Sequence, residues 1–202
     1  MTAASAIAYA EWMDLFAAIQ PREAETAAAL PGDEIVADAT VVMDRAFALP
    51  VPPHEAWPWF VQLGKRRGGW YLPRSVERLI PAGRRATREL DPRLQGLAVG
   101  DVIPDWGGKS ASFEVAAIDP PHALVHRSTR GEVQLSWAIV LRAQGESSTR
   151  VQIRLRLGGV RHRSLALTAG GFFDALTIAG LAAGLRERMS ASAGTQSARQ
   201  EP

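Results

Sequence analysis

The chain has 202 residues, 47% of them hydrophobic and 22% charged, with a formal net charge of +2 and no cysteine. That composition suits one domain with extensions and a core of real size. It excludes disulfides, thiolate metal sites and a cysteine nucleophile. The charge is unevenly spread: residues 1–44 hold eight acids and one base, and residues 45–99 hold ten bases and four acids. The expectation is a solvated basic face that the acidic N-terminal segment partly neutralises. A nucleic-acid surface would need a more basic total and a helix-turn-helix or RNP-type pattern.

Residues 3–19 read as a helix, with Ile7, Trp12, Leu15, Phe16 and Ile19 near helical spacing, ending at Pro21. The segment carries Glu11 and Asp14 and lacks a basic start, so it reads poorly as a signal peptide, and a cytoplasmic protein is expected. A short helix follows in "REAETAAAL". From Val36 to Leu49 the pattern is extended, with Val41, Met43, Phe47 and Leu49 on one parity and Arg45 breaking it. "PPHEAWPWFVQLG" opens on helix-starting prolines and stops at Gly64. Trp57 and Trp59 cannot share one face of that helix, so at most one should point inward. "PRSVERLI" gives a second short helix.

Five strands then follow, in "AVGDVIP", "ASFEVAAI", "ALVHRS", "VQLSWAIVLR" and "TRVQIRLRL". The last has the clearest two-residue period, with Val151, Ile153, Leu155 and Leu157 on one side and Arg150, Gln152, Arg154 and Arg156 on the other. That predicts an antiparallel sheet with one buried face and one wet face. A long helix is predicted from Phe172 to Met189. The stretch Ser164–Leu185 is apolar enough to suggest a membrane span, but Asp174 near its middle would cost roughly 2.5–3.5 kcal/mol on insertion scales. Stable membrane insertion is therefore not expected, and Asp174 is predicted at the solvent-facing or mouth end. The expected division is an N-terminal helical extension over 1–35, a ligand-binding domain over 36–189 and a disordered tail over 190–202.

A twisted antiparallel sheet that curls into a half-barrel, closed by a long helix, leaves an apolar cavity between the two. The stretches "FALPVPPHEAWPWFVQLGKRRGGWY", "LAVGDVIP", "FEVAAIDPPHALVHRS" and "LSWAIVL" resemble the SRPBCC superfamily, the START-like or polyketide-cyclase-like helix-grip proteins. The resemblance runs from about Asp38 to Met189. The W-P-W-x-V-Q-x-G-x-x-R-x-G-W-Y pattern from Trp57 to Tyr71 resembles one bacterial branch in particular. It implies an α+β helix-grip fold: a curved antiparallel β-sheet wrapped on a long C-terminal helix, with two short helices after the first strand. It implies a cavity but no single chemistry, because such folds host carriers, receptors, cyclases and hydratases.

The candidate ligand-binding residues are Trp57, Gln62, Trp70, Tyr71, Trp106, Phe113, His126, Trp137, Phe172, Phe173 and Leu176. Each has a structural alternative. Trp70 and Tyr71 could stack on a ligand or plug the helix corner. Gln62 could hold a ligand carbonyl or cap a loop, and Trp106 could gate the cavity or sit on a plain turn. The Lys65–Arg67 run is expected to stay solvated and to favour ligands with an acidic end. His122 and His126 share a strand parity but would stand ~13 Å apart, too far for one metal. No metal or cofactor is expected, and catalytic residues cannot be named. The expected partner is a hydrophobic small molecule, lipid- or polyketide-like, held by a carrier or sensor. The alternative is a cyclase, dehydratase or isomerase acting on a polyketide-like substrate in the same cavity.

Overall fold

The structure is a computed structural model that describes residues 14, 16–108 and 110–197, with side chains described as far as Ser190. Most of the predicted helix over 3–19, including Ile7, Trp12 and Leu15, lies outside these residues.

Six strands form one antiparallel sheet in the order β1-β6-β5-β4-β3-β2. They are β1 (Val41–Leu49), β2 (Val102–Pro104), β3 (Ser112–Asp119), β4 (Ala123–Arg130), β5 (Val133–Ala143) and β6 (Thr149–Gly158). The first strand pairs with the last, with Met43 opposite Leu155 and Phe47 opposite Val151. A register irregularity between Val115 and Ala117 interrupts the β3–β4 ladder, the kind of break that bends and twists a sheet. Two short helices, Pro53–Val61 and Arg74–Glu77, fill the corner after β1. The long helix runs from Gly171 to Ser197 and is preceded by a π-helical stretch, Ala166–Gly170. This is a helix-grip arrangement: a curved sheet, two corner helices and one long C-terminal helix. Residues 190–197, expected as tail, continue the helix; 198–202 lie outside the described residues.

The predicted alternation of β6 holds, but its arginine face is not wet. Arg154 is only 4% exposed. Its guanidinium donates to Asp44 and Asp33, each at 2.8 Å, and to the carbonyls of Ala28 and Thr26. Arg150 meets Glu25 at 2.8 Å, and Arg156 donates to the carbonyls of Val36 and Ala37. The segment from Gln20 to Ala37 therefore lies across the convex face, and its acids neutralise β6. The charge-balancing partner of the N-terminal segment is this arginine row. Hydrogen bonds from Arg150 hold the Glu25 carboxyl far below the usual range, at about 2. Alternation tells which side chains share a face; it does not tell what covers them.

The corner helix departs from expectation in the same way. Trp57 and Trp59 are both buried, because this helix has neighbours on more than one side. Trp59 meets the Tyr71 ring edge-on at 5.5 Å, and the Tyr71 hydroxyl donates to the Trp59 carbonyl.

The long helix is long and apolar enough, by length and composition, to cross a membrane. Its burial is polarised. Ile178, Ala179, Leu181, Ala182, Leu185 and Met189 are core, whereas Phe172 and Phe173, and Leu165 and Leu167 in the turns just before the helix, are exposed. The buried half is drawn close to the corner by glycine: a Cβ on Gly184 would lie 2.7 Å from the backbone of Tyr71 and Leu72.

Because Asp44 and Asp33 depend on Arg154, Arg154→Met should destabilise the fold by about 3 kcal/mol, the penalty of breaking a buried ion pair by removing one partner. Urea unfolding would check this; a change below about 1 kcal/mol would show that the N-terminal segment is not a structural cover.

Candidate functional site

Where the long helix leaves the sheet, a cavity of about 600 Å³ opens between them. Leu135, Trp137, Leu155 and Leu157 line it from the concave face of β5 and β6, and Phe173, Asp174, Thr177 and Ile178 line it from the helix.

One wall is aromatic. Trp70 stacks on Trp137 with centroids 6.1 Å apart, and Trp106 meets Trp70 edge-on at 6.4 Å. Phe113 packs against Trp137 at 5.8 Å, and His126 stacks on the other part of the cluster, 5.3 Å from Trp137. Trp70 is delivered by the Gly68–Gly69 hinge. Gly69 has φ 85°, a conformation L side chains rarely adopt, and a Cβ on Gly68 would meet the Tyr71 hydroxyl at 2.6 Å. The Trp70 indole N–H donates to the Thr177 carbonyl at 3.2 Å, which ties the wall to the helix.

Lys65 and Arg67 are not free for solvent. Lys65 donates to the Asp105 carbonyl, and Arg67 donates to the carbonyls of Val61 and Leu94. Of the run, Arg66 is exposed and Lys65 and Arg67 are half-buried. These side chains hold loop backbone in place, so the solvated basic rim expected from the sequence is not formed. At the mouth, Arg130 pairs with Asp105 and its guanidinium also lies 5.1 Å from the Phe113 ring centroid.

Of the sequence candidates, Trp70, Trp106, Phe113, Trp137 and Phe173 line the cavity. Trp106 is 53% exposed and Phe173 is 67% exposed, so both stand at its open edge. His126 lines a small side chamber of about 60 Å³ that shares Trp70, Trp106, Phe113 and Trp137 with the main one. Trp57 and Tyr71 are placed in the core, away from the lining. Gln62 is a loop staple: its carbonyl accepts from the Asp91 amide and from Gln95, and its amide donates to the Glu89 carbonyl. Phe172 packs on Phe16 at 5.9 Å, outside the lining, and Leu176 is half-buried beside it.

Sequence reasoning missed the polar centre. Asp174 faces the cavity and pairs with Arg45, whose Nε is 3.0 Å from Asp174 Oδ2. The approach is not aligned as a hydrogen bond, so neither atom has a hydrogen-bond partner among the described residues. Burial pushes the Asp174 carboxyl up to about 6, and the Arg45 charge opposes the shift without cancelling it. The signal was present in two halves, as the parity break at Arg45 and the lone acid in an apolar helix. His126 is 3% exposed, and its Nδ1 has no hydrogen-bond partner among the described residues. Burial lowers its pKa to about 4, so it is a neutral imidazole at neutral pH.

The fold and this site define a class: a helix-grip protein with an aromatic-walled internal cavity. No protein-family model matches the chain, and no curated protein matches it. Solved structures of similar shape include CalU16 from Micromonospora echinospora, with a TM-score of 0.44 and 16% identity over 74% of this chain and 80% of that one. The Aha1 dimer from Colwellia psychrerythraea has a TM-score of 0.46 and 10% identity, over 73% of this chain and 97% of that one. PFC0360w, an HSP90 activator from Plasmodium falciparum, has a TM-score of 0.38 and 15% identity, over 70% and 97%. At such identities none of these likenesses speaks to what this chain holds.

The two perturbed groups oppose each other in acid. His126 is depressed, so its contribution is full above the ordinary 6.5 and is lost as pH falls towards 4. Asp174 is raised, so its ionisation weakens the fold as pH rises from the ordinary 3.8 through 6. Each effect is on the order of 3 kcal/mol at most, and the two largely cancel between pH 4 and 6. His126→Phe should therefore gain stability on acidification over that range, and Asp174→Asn should lose it. Melting followed against pH checks both signs; parallel profiles for the two variants would contradict the burial of these groups.

Proposed function

We propose that the protein binds an apolar, ring-bearing small molecule in this cavity, as a carrier or sensor. The observation that supports it is the stacked Trp70–Trp137 wall facing a volume of about 600 Å³ with few polar groups. That volume is within the usual range for small-molecule sites, and the lining is of their usual kind. The carrier would be soluble and cytoplasmic, with the buried half of the long helix serving as core; fractionation without detergent tests that part of the reading.

Native mass spectrometry of freshly purified protein should show a co-purifying small molecule. Trp70→Ala should weaken an added fatty-acid or naphthalene-sulfonate fluorescent probe by about 1–3 kcal/mol, through lost stacking and contact area. Melting should fall less than binding. If probe affinity is unchanged while the melting temperature collapses, Trp70 is a plug of the helix corner and the binding reading fails.

One observation favours the second reading, a cyclase, dehydratase or isomerase on a polyketide-like substrate. Asp174 lines the cavity with its carboxyl pushed towards neutrality, the condition in which a carboxylate serves as a general base near working pH. Turnover that follows an ionisation near 6 and vanishes in Asp174→Asn would favour that reading over a carrier.

A further inference from the structure

The polar groups of the cavity are nearly all spoken for. Arg130 is paired with Asp105 at the mouth. The Lys65 ammonium is on the Asp105 carbonyl. The Thr177 hydroxyl donates to the Asp174 carbonyl at 2.9 Å, within the helix. The Arg45 guanidinium donates to the carbonyls of Asp44 and Gly171, at 2.9 and 3.0 Å. Its Nε is close to Asp174 but misaligned, and no other side chain among the described residues donates to that carboxyl. Asp174 is part of the cavity lining and Arg45 is not. Asp174 Oδ2 is closed off beside Arg45, so a ligand meets the carboxyl at Oδ1, to which no side chain among the described residues donates, with the guanidinium standing behind it.

That arrangement discriminates by charge. An anionic head would face the carboxylate first, with no free cation in the lining to offset it. A cationic head would add a second positive charge beside Arg45, in a low-dielectric space where like charges repel strongly. A neutral donor meets neither penalty and supplies the hydrogen bond that Asp174 lacks. We infer that the cavity selects a neutral hydroxyl-bearing ring compound, a phenol or alcohol whose O–H donates to the Asp174 carboxyl while its rings lie on the Trp70–Trp137 wall. This rests on the binding reading above and reverses the acidic-ended ligand expected from the basic run at Lys65–Arg67.

A matched series tests it: naphthalene, 2-naphthol, 2-naphthoate and 2-naphthylmethylammonium, titrated calorimetrically at a pH where the carboxyl is ionised and the naphthol is not. Wild type should bind naphthol about tenfold tighter than naphthalene, as one hydrogen bond to a charged acceptor implies. Asp174→Leu should lose that preference and turn towards naphthoate, because Arg45 is then uncompensated. Arg45→Met/Asp174→Leu should lose both preferences and keep naphthalene binding; it carries the test if the unpaired arginine of the single variant prevents folding. Equal binding of naphthol and naphthalene by wild type overturns the inference, as does a preference for the ammonium or survival of the naphthol preference in the double variant. If none of the four binds, the cavity reading itself falls and this inference with it.

Discussion

Arg188 holds the geometry on which the cavity depends. It is 2% exposed, deep in the protein, and would be a heavy cost there if its donors were unmet. They are met: Nη2 donates to Glu77 at 2.7 Å, Nη1 to the carbonyls of Leu72 and Gly184, and Nε to the Thr87 carbonyl. The guanidinium also lies 4.7 Å from the Tyr71 ring centroid. Glu77 in turn receives Arg88 at 2.6 Å. One helix residue thus fixes the short corner helix, the Tyr71–Leu72 turn and the Thr87 loop against the long helix. Trp70, the residue before that turn, inherits its position, and its bond to the Thr177 carbonyl completes the wall. The glycine at 184 is part of the same constraint, since any side chain there would push Tyr71 and Leu72 away.

Much of the fold was legible because its signals are local. The strict alternation of β6 and the parity of Leu135, Ile139 and Leu141 in β5 report burial against one layer. The two helices after β1 were visible from prolines and glycines. What sequence could not supply was the far partner. Arg154 looked like a solvent-facing residue because nothing near it in the chain hints at Asp33, Asp44 or the carbonyls of 25–28. Trp57 and Trp59 would be mutually exclusive only on a helix with one neighbour, and this one buries both.

The candidate site was partly legible for a related reason. In the turn that follows the Gly68–Gly69 hinge, neighbouring side chains diverge, so Trp70 reaches the cavity and Tyr71 the core. Their aromatic character was visible and the phase was not. Arg45 and Asp174 each looked like an exception to the pattern of its own element. Only the sheet-to-helix contact makes the two exceptions one feature, at 3.0 Å.

Asp44 and Arg45 show how that feature is built into the sheet. They are successive residues of β1 and so project to opposite faces. Asp44 turns outward and pairs with Arg154 under the N-terminal segment; Arg45 turns inward and pairs with Asp174 in the cavity. Each face of one strand thus places one charge in a buried setting, and each charge finds its opposite on a different element. The Arg154 guanidinium of the outer pair donates from all three nitrogens, and there the ionic contact serves to fix a cover. The inner pair is left misaligned, with a carboxyl pushed towards neutrality beside an apolar volume. Charge neutrality keeps the interior affordable on both sides, and the inner pair keeps its hydrogen-bonding capacity beside the cavity. The difference lies in what each pair faces: the outer one a packed cover, the inner one an open apolar volume.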